Sequence, residues 1–129
     1  MNERRISASL TRASLVAAIV LTLALIWGGG VKGTGSWFVG IWHDIEHLGA
    51  FGLFTLLWCL ALPRVPVILV AMLGVSAGIA HEAWEIVGHV HAFEWDDAIV
   101  DGIGAVLGAV MGGIIRVVVS NRIGVASRG

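Results

Sequence analysis

The chain has 129 residues, 57% of them hydrophobic and 13% charged, with a mean hydropathy of +0.91. A soluble domain carries about 25% charged residues. This composition therefore excludes an ordinary soluble domain and points to one integral membrane unit. The net charge of −1 conceals a separation of sign along the chain, and Cys59 is the only cysteine, so no intrachain disulfide forms.

The opening stretch MNERRISASLTR is polar and basic, and Ala13 to Val31 carries no charge. A basic segment before an apolar one is the layout of a signal peptide. No Ala-x-Ala site closes the run, however, so it reads as a first transmembrane helix over 13–31, ended by Gly28-Gly29-Gly30. A Gly/Ser/Trp loop follows. A second helix is expected over 42–62; its first turn holds the sequence HDIEH, from His43 to His47. Pro63-Arg64-Val65-Pro66 is a tight turn, because prolines this close interrupt helix hydrogen bonding. The third helix is expected over 66–87, ending in HEAWE, and the fourth over 97–119, opening with DDAIVD. Residues 1–12 and 120–129 flank this all-α four-helix bundle. Three of the apolar runs are shorter than the ~20 residues that cross a bilayer. They become long enough when the adjoining polar turns join the helices, which would bury those turns inside the bundle.

Charge gives an expected orientation. Arg4, Arg5, Arg12, Arg64, Arg116, Arg122 and Arg128 fall at the termini or the proline turn, and only Lys32 lies on the other side. The positive-inside rule then makes both termini cytoplasmic. Asp44, Glu46, Glu82, Glu85, Glu94, Asp96, Asp97 and Asp101 gather at the outer side, with Trp27, Trp37, Trp42, Trp84 and Trp95 as an aromatic belt.

In this topology HDIEH, HEAWE and DDAIVD meet at one face. His43 and His47, His81 and Glu85, and Asp97 and Asp101 are each spaced i,i+4, so each pair shares a helix face. Glu94, Asp96 and His89 suit wet loop positions. His47, Glu82 and Asp101 adjoin apolar runs, where an ionisable group is costly and faces a cavity or a partner. Asp97 also suits a helix N-cap. His43, His47, His81 and Glu85 are candidate ligands for a divalent metal, yet no spacing among them is diagnostic: His81-Glu82-x-x-Glu85 lacks the second histidine of a zincin helix. No Ser or Thr lies in the polar cluster as read from sequence, and Cys59 is at the far end of its helix, so nucleophilic catalysis has no candidate. No nucleic-acid motif appears. Gly104, Gly108 and Gly112 form a small-residue face on the fourth helix, suited to packing within the bundle or against another subunit.

The order of these residues resembles the VanZ-like family of small multi-pass bacterial membrane proteins. That family has a D-K-x-x-H-like helix start, then E-x-x-Q, a loop arginine, a D-x-x-x-N pair and G-x-x-x-G. His47 stands at the histidine, Glu82 at the glutamate, Glu85 at the glutamine and His91 at the arginine. Asp97 and Asp101 stand at the D-x-x-x-N pair, and Gly104 and Gly108 at the glycines. The resemblance covers about residues 43–112. It implies an inner-membrane protein, and the family's founding member is associated with low-level resistance to the glycopeptide teicoplanin. The departures are acidic. Asp44 replaces the lysine, His91 the arginine, Glu85 the glutamine and Asp101 the asparagine, making the pattern five charge units more negative. Like charges at that density need protonation, a bound cation or a partner's basic residues.

The binding pocket expected from this reading comprises His47, Glu82, Glu85, His91, Asp97 and Asp101. The function expected is non-enzymatic: an envelope protein, or an accessory subunit meeting other membrane subunits through its helices. The rival is a metal-dependent enzyme acting on a lipid-linked cell-envelope substrate. In it Glu82 is general base, and His47, His91, Asp97 and Asp101 are ligands or proton carriers. A proton pathway lacks a continuous relay, because the cytoplasmic halves of helices two and three carry no Asp, Glu, His, Lys or Arg before Arg64.

Overall fold

The computed structural model describes residues 3–89 and 92–126. Four helices account for nearly all of them: α1 (Glu3–Gly30), α2 (Ile41–Ala61), α3 (Val67–His89) and α4 (Trp95–Ala126), with a short 3-10 turn at Thr34–Ser36. No strand occurs among the described residues. Each helix holds a stretch long and apolar enough to cross a membrane: Ser7–Gly30, Ile41–Ala61, Val67–His89 and Trp95–Arg122. Even the shortest, at 21 residues, reaches about 30 Å at 1.5 Å per residue. The polar turns HDIEH and HEAWE lie within α2 and α3, and that is what gives these helices their length.

The helix ends lie within two residues of the sequence-based bounds except in two places. α1 begins at Glu3 rather than at the edge of the apolar run, and α4 runs on to Ala126. Charged residues such as Arg12 and Arg122 are good helix formers, so the loss of hydropathy there ends the span without ending the helix.

Large apolar side chains such as Val20, Leu23, Ile68, Met72, Val110 and Val117 point outward along the spans. The interior is made of small residues and polar groups instead. Ala18, Cys59, Ala105 and Ala109 are fully or nearly fully buried, together with Phe51 and Val70. This inversion suits a chain whose outer surface lies against hydrocarbon, where close backbone approach replaces hydrophobic burial as the source of packing.

The most extensive helix pair is α2 with α4. Both helices start at the same end of the bundle and run in the same direction. Gly52, Gly104 and Gly108 form the centre of their seam. A Cβ on Gly108 would strike the Gly52 carbonyl oxygen, and one on Gly104 would strike the Leu48 carbonyl oxygen. Gly112 lies against Cys59, which is fully buried. The small-residue face of α4 is thus occupied within the bundle. At the far end of the seam, Arg116 donates to the carbonyl oxygens of Cys59, Leu62 and Val65. These are carbonyls that the end of α2 and the proline turn leave without helical donors. Arg116 therefore does more than mark one side of the bundle: it ties α4 to the terminus of α2.

Candidate functional site

The other end of the α2–α4 seam is polar. His43 and His47 stand one turn apart on α2, and Asp97 and Asp101 stand one turn apart on α4. Because the two helices run parallel, equal steps stay in register and produce two rungs. His43 donates through Nε2 to Asp97 Oδ2 at 2.9 Å, and His47 donates through Nδ1 to Asp101 Oδ1 at 2.9 Å. The rungs differ in depth. His43 is partly exposed, whereas His47 is 3% and Asp101 0% exposed. The two imidazoles also touch, with ring centroids 4.5 Å apart. Gly78 on α3 makes room for the inner rung, since a Cβ there would lie 2.7 Å from that of Asp101.

Antiparallel α3 brings the third set of groups. Glu82 is 0% exposed, and its Oε1 lies 3.9 Å from His47 Nδ1. Neither Glu82 oxygen has a hydrogen-bond partner among the described residues, and Asp101 Oδ2 is likewise without one. One turn further out, Glu85 Oε1 lies 3.4 Å from His81 Nε2 and 3.7 Å from His89 Nδ1. Three helices thus converge on one buried chamber of imidazoles and carboxylates.

The sequence expectations divide accordingly. His43, His47, His81, Glu82, Glu85, Asp97 and Asp101 come together. His91 lies outside the described residues. Asp44, Glu94 and Asp96 are exposed, as wet positions should be. Three readings need correction. Asp97 lies inside the first turn of α4, and its carboxylate is taken by His43, so it acts in the rung rather than as an N-cap. Thr34 does reach the polar region, because the 3-10 turn folds back over the end of α3, and its hydroxyl lies 3.0 Å from His89 Nε2. That contact does not make a nucleophile. The Thr34 hydroxyl donates to the Gly28 carbonyl at 2.6 Å, and His89 Nε2 lies 3.2 Å from that carbonyl and 3.0 Å from Val31's. His89 is therefore a donor closing the end of α1, not a base facing a hydroxyl and not the wet loop residue its position suggested.

A cavity of about 290 Å³ adjoins the chamber between α1, the 3-10 turn, α2 and α3. Leu21, Leu25 and Trp27 supply apolar wall; His43, His47, His81 and Glu85 supply the polar side. A wider depression lined by Lys32, Asp44, Glu85, His89 and Glu94 leads outward. The chamber is buried yet has a route of entry.

Two sets of groups place one donor atom each within 4.8 Å of one another and include His47: His43, His47 and Asp97, and His47, Glu82 and Glu85. A third set joins Glu82 and Asp97 to exposed Glu94. Of the candidate metal ligands, His43, His47 and Glu85 belong to these sets, and His81 contacts Glu85 from the side.

Comparison with protein-family models, curated proteins and solved structures gives no match. The functional reading rests on the chamber itself.

Proposed function

We propose that the chain is a VanZ-like multi-pass protein of the bacterial inner membrane, with both termini cytoplasmic. On this reading it works without catalysis, as an envelope protein or accessory subunit of a larger membrane complex, and its extracytoplasmic chamber receives a ligand or partner. The observation that carries the reading is Glu82, a fully buried carboxylate with no hydrogen-bond partner among the described residues, beside an imidazole–carboxylate rung. Burying such a group without compensation costs stability, so its presence is explained by something that the chamber binds. The positions that carry the VanZ resemblance, His47, Glu82, Asp97 and Asp101, lie together, which supports that alignment. The arginine distribution supports the orientation.

A role as an accessory subunit draws support from the chain's make-up: nearly all of it lies in the four helices, and large apolar side chains cover the outside of the spans. Protein expressed at native level and extracted in mild detergent is expected to migrate well above the mass of the lone chain on native gels, with a membrane protein cross-linked to it. A monodisperse lone protein from native membranes argues against this role. The enzymatic rival keeps one observation in its favour, the apolar wall beside His47 and Glu85, which would suit a lipid-linked substrate. Turnover of such a substrate that is lost in Glu82→Gln would establish it.

A further inference from the structure

We infer that His47, Glu82 and Glu85 bind a divalent transition-metal cation. The inference rests on the chamber being a binding site, as proposed above, and names its occupant. Donor atoms of the three residues lie within 4.8 Å of one another, and all three residues are buried. The set spans two helices, since His47 comes from α2 and both glutamates from α3, so a folded bundle is needed to assemble it.

The case goes beyond a cluster of acids. Both oxygens of Glu82 are buried without a hydrogen bond among the described residues, while the side chain sits beside His47. A structural carboxylate at 0% exposure would have donors around it; this one has an imidazole 3.9 Å away and further carboxylates. A cation supplies what is missing. Charge also matches: two carboxylates and a neutral imidazole balance a divalent ion. The mixed nitrogen and oxygen donors suit zinc, manganese, iron, cobalt or nickel, whereas calcium and magnesium take oxygen ligands throughout.

Ligands around a tetrahedral ion at ~2.0–2.1 Å stand roughly 3.3 Å from one another. The donors here, within 4.8 Å of one another, need to draw together by up to about 1.5 Å, a movement within the reach of glutamate rotamers. Asp101 acts as a positioning residue. It accepts the Nδ1 proton of His47 at 2.9 Å and so fixes the ring with Nε2 as the ligating nitrogen, as carboxylates beside metal-bound imidazoles do. The cavity lined by His43, His47, His81 and Glu85 leads to the site, giving the ion a path and leaving one side open to water.

The test uses the full chain in nanodiscs, stripped with chelator and titrated with cobalt(II). Wild type is expected to bind one equivalent saturably and to develop the visible absorption of cobalt in a low-symmetry nitrogen and oxygen site. Its thermal midpoint should rise with cobalt, because a ligand that binds only the folded state stabilises it. Glu82→Gln should weaken binding by more than about 100-fold, whereas Asp44→Asn, altered at an exposed carboxylate of α2, should bind as wild type does. In chelator, Glu82→Gln should melt no lower than wild type, since it removes a buried carboxylate that makes no hydrogen bond among the described residues. Wild type that takes up no cobalt overturns the inference whatever the variants do, and so does equal binding by folded Glu82→Gln. Capture of a partner by protein that cannot bind metal would overturn this inference alone. Stoichiometric metal in a protein with no partner would leave it standing and remove the accessory-subunit role.

Discussion

Asp101→Ala is expected to lower the unfolding free energy by about 1–3 kcal/mol, the cost of leaving a buried hydrogen-bond donor unsatisfied. The imidazole of His47 would keep its burial and lose its 2.9 Å carboxylate acceptor; Glu46 at 3.8 Å and Glu82 at 3.9 Å are too far to replace it. The outer rung gives a built-in comparison. His43 is partly exposed, so water can take the place of Asp97, and Asp97→Ala should cost no more than about 1 kcal/mol. Denaturant titration in mixed micelles, read by helical circular dichroism, measures both. Equal losses at the two rungs would mean that depth does not separate them.

Gly108→Leu is expected to prevent α2 and α4 from docking. Gly108 meets the Gly52 backbone directly, and a backbone carbonyl cannot rotate away as a side chain can. Even Gly108→Ala should cost about 1–3 kcal/mol, the usual effect of overpacking. Gly102, six residues earlier on the same helix, has open space where a Cβ would go. There alanine should stabilise by about 0.5–1 kcal/mol through helix propensity alone. The opposite signs separate a packing effect from a propensity effect in one experiment. Since Gly104 and Gly108 are already used against α2, loss of the α2–α4 seam should appear as unfolding of the monomer, not as dissociation of a dimer.

Much of this arrangement was legible in the residues. Composition and the four apolar runs gave the helices, and the i,i+4 spacings of His43/His47 and Asp97/Asp101 gave the faces that meet. Hydropathy could not locate the helix ends, because Arg12 and Arg122 leave the apolar run while favouring the helix. Nor could sequence say which histidine pairs with which carboxylate. That follows from the parallel course of α2 and α4, which keeps the same separation between His43 and Asp97 as between His47 and Asp101. The one available signal was the equal spacing of the two pairs on helices that start at the same end. Thr34 and Arg116 were missed for a related reason. Both act on backbone carbonyls at the ends of other helices, and no sequence pattern records such contacts.

The convergence of the polar helix ends is tested most directly by a double-mutant cycle on the inner rung. Unfolding free energies of wild type, His47→Ala, Asp101→Ala and the double variant would be measured in the same micelles. A His47–Asp101 pair held at 2.9 Å inside the bundle predicts a coupling of about 1–3 kcal/mol, with the second substitution costing much less than the first. Losses that simply add, to within about 0.5 kcal/mol, would mean that α2 and α4 do not bring these two side chains together, and the chamber built on their rung would not exist.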